Sequence, residues 1–572
     1  VFALFLARLA WLQFAMADHY AQKMAEASSA SYTLPQHAAR GAITDRSGTV
    51  LAQDGTVYDV YLRVPAPPGT NLRETVNTIA ALTGGKDVET QLAAFCSAVS
   101  AGELPVTQGL DSIGAAAYYR AGLVQSGAVR LAARGVRRWP DGTILPHTLG
   151  FTGPVTAEQW PAARAQGLAM DATIGQNGLE AAYDTLLRGR DGQLQINVGL
   201  DGVTREAVQT SAPVPGCTLV LTLDADLQKT LQTALQNQMD TLRTTKGIGA
   251  GREVRAGAAV VVDVRTGGIL AAASLPDFDL SRYRSDYAAL SADSTAPLLD
   301  RVCQGLYAPG SAFKPAVAAA ALTAGIDPAA TVNCTGKYFY YSNYHPGCLQ
   351  YGHRGPVDLR TALEYSCNIF FYDTGRRLGV DTFSAMARQL GLANDTGVEI
   401  TAAQGRLTWS TDTNYQDGLT LMAAIGQGNT AVTPLQLAQY AAALANYGRK
   451  PTLHFADRAV QPATGAAVWQ YEPAFTEIPG GEAVFGPIRD GMKRMAQTAR
   501  ALREAPVTVA AKTGSPQLAD TLPGGSHYVN SVLIGYAPAD DPQIAMAVVL
   551  EYGGGGANGA PVMRAVLDAW FE

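Results

Sequence analysis

The sequence predicts an α+β chain of three parts: an apolar N-terminal segment over residues 1–16, an extended β-rich module over 17–250, and a C-terminal domain over 251–572. Three observations predict it. The first sixteen residues are almost wholly apolar apart from Arg8 and Gln13. The next part is a series of short alternating runs around turns, interleaved with helical patterns. After the break at Gly247, Gly249 and Gly251, strand-like runs stand at both ends of the region with helices between them, so terminal segments close one sheet.

The elements follow in order. The stretch 1–16 is shorter than the roughly 20 residues of a full membrane span. The chain opens on Val1 rather than Met, so upstream residues are expected, and the first reading is a truncated transmembrane anchor. A secretory signal is the runner-up, because Ala15, Met16 and Ala17 resemble a small-x-small cleavage site. A buried amphipathic helix is the third reading. The first two place the rest of the chain outside the cytoplasm. A polar, helix-like stretch runs on to Ala30. Residues 49–52 and 57–62 then read as hairpin strands near an Asp45-Arg46-Ser47-Gly48 turn. Helical patterns cover 73–82 and 88–99, and an irregular β-type region covers 129–153. Residues 176–187 read as a capped helix, 194–198 and 218–222 as strands, and 224–242 as a helix opened by an Asp224 cap. In the last part, 258–263 and 269–274 are strands joined by a turn at 265–268. An Ala-rich helix begins at Ser311, and late strands lie at 507–511, 531–536 and 544–550.

Composition narrows the function. With 572 residues the chain exceeds one ordinary domain, and 47% apolar against 16% charged residues describes folded material rather than disorder. A formal charge of -6, without clusters, argues against nucleic acid as the main partner. The six cysteines form no CxxC pair and the seven histidines no HExxH, so neither a metal site nor a cofactor is expected. Cys334 and Cys348 flank a Tyr/Gly-rich loop; a disulfide there and unpaired thiols both stay open.

Three short motifs carry the chemistry. In Ser311-Ala-Phe-Lys314, after Pro309-Gly310, the serine opens a helix and the lysine lies at i+3 on the same face. A serine becomes a useful nucleophile beside a base, and a lysine serves as one when desolvation or a second cation lowers its pKa. Pro315 in the first turn costs no hydrogen bond. Ser366-Cys367-Asn368 offers a hydroxyl to relay a proton and a carboxamide to hold a substrate amide. Lys512-Thr513-Gly514-Ser515 ends a strand run; the cation and hydroxyls suit a substrate carboxylate, and Gly514 lets a ligand backbone lie close. The N–H groups of Ser311 and Ser515 could form an oxyanion hole. Each motif alone also fits a helix cap, a turn or an exposed strand end. Together, and in this order, they match the set shared by penicillin-binding proteins and β-lactamases.

On these residues the chain resembles the class B penicillin-binding proteins, monofunctional peptidoglycan transpeptidases, and the elongation type in particular. Residues 8–13 look like the end of that family's membrane helix. Arg40-Gly41 with Asp45-Arg46 and Gly48, and 175–180 with Tyr183-Asp184 and 187–189, look like its pedestal motifs. Gly426-Gln427-Gly428, 433–436 and 535–538 resemble segments around its catalytic motifs. The resemblance implies an antiparallel sheet flanked by helices on a dimerisation-type pedestal. It implies that Ser311 attacks the D-Ala-D-Ala carbonyl of a stem peptide, with Lys314 as base, Ser366 as relay and Asn368 on the substrate amide. Lys512, Thr513 and Ser515 would take the terminal carboxylate, and a second stem peptide's amine would complete the cross-link. β-Lactams would acylate Ser311. The implied partner, through the pedestal, is a membrane glycosyltransferase of the shape, elongation, division and sporulation group. The implied location is the bacterial cytoplasmic membrane, single-pass, with the catalytic domain outside. Two departures stand out: Ser515 where Thr is commoner, and Arg354 interrupting a Gly-His-Gly near the second motif.

Other readings use the same serine. A β-lactamase needs a group that activates water for deacylation, and no Glu-x-x-Leu-Asn segment lies between Asn368 and Lys512. A D,D-carboxypeptidase differs only in its acceptor. A non-catalytic sensor or scaffold would need further membrane spans and a signalling domain. The absence of kinase-associated repeats after the late strands and the compact pedestal lean towards elongation.

Overall fold

The computed structural model describes residues 2–17, 19, 30–85, 87–98, 102–170, 172–198, 204–247, 249–348, 353–523 and 525–572. Most of the polar stretch before Ala30, and Gly352, lie outside them. The chain forms two compact units that interleave along the sequence: residues 1–42, 52–138 and 185–217 make one, and 43–51, 139–184 and 218–572 the other.

At the N-terminus an α-helix, Phe2–Ala10, runs into a wider turn, Trp11–Ala15. Among the described residues no helix is long and apolar enough to cross a membrane.

The strand Val50–Val64, which belongs to the first unit from Ala52 on, pairs antiparallel with Gly102–Leu110 and with Val129–Arg138. The two hairpin strands expected over 49–62 are thus one continuous strand. The polar residues that break the alternation are matched across the sheet: Gln53 faces Arg138, and Asp54 faces and pairs with Arg137 at 3.3 Å. Helices Leu72–Leu82, Val88–Ala98 and Ser112–Arg120 contribute Val76, Ile79, Val88 and Tyr118 to a core shared with Val60, Leu62, Leu104 and Val129. A three-stranded antiparallel sheet joins Ala30–Gln36, Gly192–Val198 and Thr204–Ser211.

The second unit is built on a five-stranded antiparallel sheet. Its order is Ile269–Leu275, Gly257–Asp263, Ile544–Leu550, Ser531–Ala537, Ala510–Gly514. These are the five strands the sequence predicts, closed by terminal segments as expected. The strand expected at 507–511 is displaced to Ala510–Gly514, so Lys512 sits within it. Because strand side chains alternate between faces, Ala259, Val261, Met546 and Val548 share a core with the helices Ala225–Arg243 and Ala560–Phe571. The other face receives the helix Pro434–Ala445, every residue of which is buried. The helix Ala225–Arg243, which the sequence groups with the upstream module, therefore supplies Leu227, Leu231, Leu235 and Met239 to the core of this sheet. Its N-terminus is doubly held: Asp224 accepts from Leu227 N at 3.0 Å, and Asp45 Oδ2 accepts from Ala225 N at 3.2 Å. Asp45 thus acts as a helix brace. The helix expected over 176–187 is split into Gly178–Ala182 and Asp184–Leu187.

Candidate active site

Ser311 lies in a single 3-10 turn, Gly310–Phe313, that feeds the α-helix Lys314–Thr323, with Pro315 in its first turn. The turn is fixed from three directions. Gly310 has φ +55°, and its N–H donates to Gly426 O at 2.9 Å. Gly514 packs against it so closely that a Cβ there would meet Pro309 O at 2.2 Å. Tyr307, at its approach, donates to Glu551 at 2.8 Å, and the same carboxylate accepts from the buried Arg301 at 2.9 Å. Burial and that carboxylate push the Tyr307 phenol well above its ordinary range.

All three motifs meet here. Lys314 is fully buried, and its ammonium nitrogen donates to Ser366 O at 2.7 Å, Asn368 Oδ1 at 2.7 Å and Ser366 Oγ at 3.2 Å. Lys512, also fully buried, reaches the same Ser366 Oγ at 3.0 Å and Thr513 O at 3.1 Å. One serine hydroxyl therefore links two lysine amines from a helix and a strand. Ser366 holds φ +57°, a left-handed conformation that a non-glycine residue adopts at a cost. Burial lowers Lys314 to about 7. Lys512 falls well below its ordinary value, through burial first and then the neighbouring Lys314. A low-dielectric site cannot hold both as cations, so neutral amine is present near neutral pH.

Other predicted residues sit nearby with different partners. Lys314 makes no direct hydrogen bond to Ser311 Oγ; its contacts go to Ser366 and Asn368. Lys512 faces Ser366 rather than solvent. Asn368 Nδ2 donates to Gly347 O at 3.1 Å. Thr513 Oγ1 has only a long contact to Met495 Sδ at 4.0 Å, and Ser515 Oγ accepts from Gly556 N at 2.9 Å. Ser515 N lies 3.2 Å from where a Gly310 Cβ would stand, next to Ser311.

A second cluster was missed by the sequence reading. Cys334, Cys348, His353 and Cys367 are all buried, and their donor atoms lie within 4.8 Å of one another. Cys334 and Cys348 Sγ stand 3.7 and 3.6 Å from His353 Nε2. A tetrahedral zinc with Zn–S near 2.3 Å and Zn–N near 2.05 Å puts sulfur and nitrogen about 3.6 Å apart, so the donors fit zinc. The donors come from separate segments spaced too widely for a CxxC pattern. The one available signal was three of the six cysteines and two histidines, His345 and His353, within residues 334–367. Among the described residues no cysteine is in a disulfide, so Cys334 and Cys348 are not bridged. Cys367, raised by its hydrogen bond to Cys348 and by burial, stands between Ser366 and Asn368.

The arrangement can activate a hydroxyl beside a neutral buried amine and pass a proton along Lys314, Ser366 and Lys512, which is the equipment of acyl transfer. Comparison with known proteins agrees. The family model of the penicillin binding protein transpeptidase domain matches residues 257–568, and that of the penicillin-binding protein dimerisation domain matches 35–221. The peptidoglycan D,D-transpeptidase MrdA of Acinetobacter baumannii is 28% identical over 94% of this chain and 81% of its own. That of Escherichia coli K12 is 26% identical over 94% and 87%. A solved chain described under structural coordination of polymerization and crosslinking by a peptidoglycan synthase complex is 29% identical. It aligns with TM-score 0.76 over all of this chain and 96% of its own. The penicillin-binding protein PBP2 of Helicobacter pylori, solved with MreC, shares the fold at TM-score 0.77 and 23% identity. With its transpeptidase model spanning more than half of the sequence and a dimerisation domain before it, the chain belongs to the class B penicillin-binding proteins.

Proposed function

We propose that this chain is a peptidoglycan D,D-transpeptidase that works through an acyl-enzyme on Ser311. The observation that carries the reading is the pair of buried amines, Lys314 and Lys512, joined through the half-buried Ser366 hydroxyl. Neutral Lys314 takes the Ser311 proton as Oγ attacks the penultimate D-Ala carbonyl. Its present partners, Ser366 and Asn368, give way or share as substrate enters, since catalytic hydrogen bonds often tighten only in the substrate complex. The backbone N–H groups of Ser311 and Ser515 stabilise the developing oxyanion. Ser366 and Lys512 return a proton to the departing D-Ala nitrogen. Thr513 and Ser515 lie at the open end of the strand for the terminal carboxylate. The amine of a second stem peptide then attacks the ester, forms the new amide and frees Ser311. β-Lactams enter the first half of this sequence and stop there.

The same reading gives the chain a role in elongation, membrane anchoring through the apolar N-terminus, and work beside a membrane glycosyltransferase engaged by residues 17–250, with 251–572 as the catalytic part; its likeness to a chain of a peptidoglycan synthase complex supports such a partner. Cys334, Cys348, His353 and Cys367 would hold zinc in a closed, structural site, because all four positions are filled by protein. Such a site fixes Cys367 and with it the flanking Ser366 and Asn368.

The test is release of D-Ala from a stem pentapeptide supplied with an amine acceptor. The wild-type chain should form the cross-linked amide, and Ser311→Ala should form none while keeping its melting temperature. Undiminished product from a folded Ser311→Ala protein would refute the assignment.

A further inference from the structure

A cavity of about 730 Å³ lies in the second unit, lined by Arg388, Arg406, Trp409, Asp412, Asn414 and Asn429 among others. None of these residues belongs to the three motifs. The volume falls within the roughly 300–1,000 Å³ of small-ligand sites. Arg388 lays its guanidinium 5.1 Å from the Trp409 ring centroid, and among the described residues neither Arg388 nor Arg406 has a carboxylate partner. The one lining carboxylate, Asp412, is already engaged: its Oδ2 accepts from Trp409 N at 3.1 Å and Asn429 Nδ2 at 2.7 Å. Asn414 and Asn429 exchange side-chain hydrogen bonds at 3.1 and 2.7 Å. The wall is thus built and satisfied, and the two guanidinium groups are left as its free charge.

The cavity is mechanically tied to the catalytic turn. Arg406 pairs through its backbone with Ala431, and the next residue, Val432, pairs with Tyr307 at 2.9 Å in both directions. Asn429 follows Gly426 by three residues, a reach of at most about 11 Å, and Gly426 O accepts from Gly310 N beside Ser311.

We propose that this cavity binds the carboxylates of the acceptor peptide. This deepens the transpeptidase reading and rests on it. Arginine forks match carboxylate geometry, and a stem peptide that offers its amine to the acyl-enzyme still carries free carboxylates along its length. Holding these within chain reach of Gly310 orients the amine towards the Ser311 ester.

The experiment uses the whole chain, and a stem tripeptide with free carboxylates beside the same peptide with its carboxylates amidated. Calorimetric titration should show the acid form binding and the amide binding at least tenfold more weakly. The Arg388→Gln/Arg406→Gln protein should lose at least tenfold in affinity for the acid form and raise the acceptor KM, with the penicillin acylation rate and melting temperature unchanged. Equal binding of acid and amide, or unchanged binding by the double variant, would overturn the subsite. Penicillin acylation, read in the same samples, reports separately on Ser311: absent acylation with intact, arginine-dependent peptide binding would strike the transpeptidase reading and leave the anion site standing.

Discussion

Two buried amines that share one half-buried hydroxyl must divide a proton between them, and that competition sets the chemistry at the residue scale. Lys314, lowered to about 7 by burial, is the free-base partner above that pH and a cation below it. The acylation rate by a β-lactam is therefore expected to fall about tenfold per pH unit below 7 and to level off above it, as stopped-flow measurements would show. Lys314→Arg retains a cation of similar reach but cannot act as a base; it should lower acylation by about 10²–10⁴-fold at every pH where the protein is folded. A pH-independent rate in the wild type would speak against Lys314 as base. The residue types of the site were legible in the sequence because SxxK, SxN and KTG each keep their members close together. Their pairing was not: Ser366 and Lys314 are 52 residues apart, and the demand of a buried ammonium for three acceptors becomes visible only when burial is known. The cysteine–histidine cluster was hidden for the same reason, its ligands gathered from a strand, two loops and the edge of a helix.

At the scale of elements, the contact between the Ala510–Gly514 strand and the Pro309–Gly310 turn holds the first and third motifs together. Gly514→Ala would drive a Cβ onto Pro309 O. It should destabilise the protein by about 1–3 kcal/mol and slow acylation, seen in thermal melts and labelling time courses. The loop bearing Ser366 should depend equally on Cys334, Cys348, His353 and Cys367. About one zinc per chain is expected by elemental analysis, with Cys334→Ser/Cys348→Ser losing the metal, melting at lower temperature and acylating more slowly. A metal-free wild type with full activity would exclude that role. Sequence periodicity located the five strands of the central sheet because each is a short apolar run bounded by turns. It misplaced the 507–511 strand because Lys512 is polar yet wholly buried, and it cut Val50–Val64 in two because polar residues paired across the sheet look like a turn.

For the whole molecule, residues 218–572 lie in one compact unit together with 43–51 and 139–184, so the helix Ala225–Arg243 shares a unit with the five-stranded sheet. Leu227, Leu231, Leu235 and Met239 are each buried against the sheet, worth about 1.5–3 kcal/mol apiece. A fragment starting at Gly257 should therefore be insoluble or markedly less stable than one starting at Thr218, as denaturant melts would show. Equal stability of the two would separate this helix from the catalytic core. The central claim is that Ser311, activated by Lys314 and the Ser366–Lys512 pair, forms an acyl-enzyme. Incubating the intact protein with a penicillin and mapping the adduct by peptide mass spectrometry tests it most directly. The prediction is one drug equivalent, slowly released, on the peptide holding Ser311 and none on the folded Ser311→Ala protein; an adduct on another residue, or rapid turnover without an adduct, would contradict it.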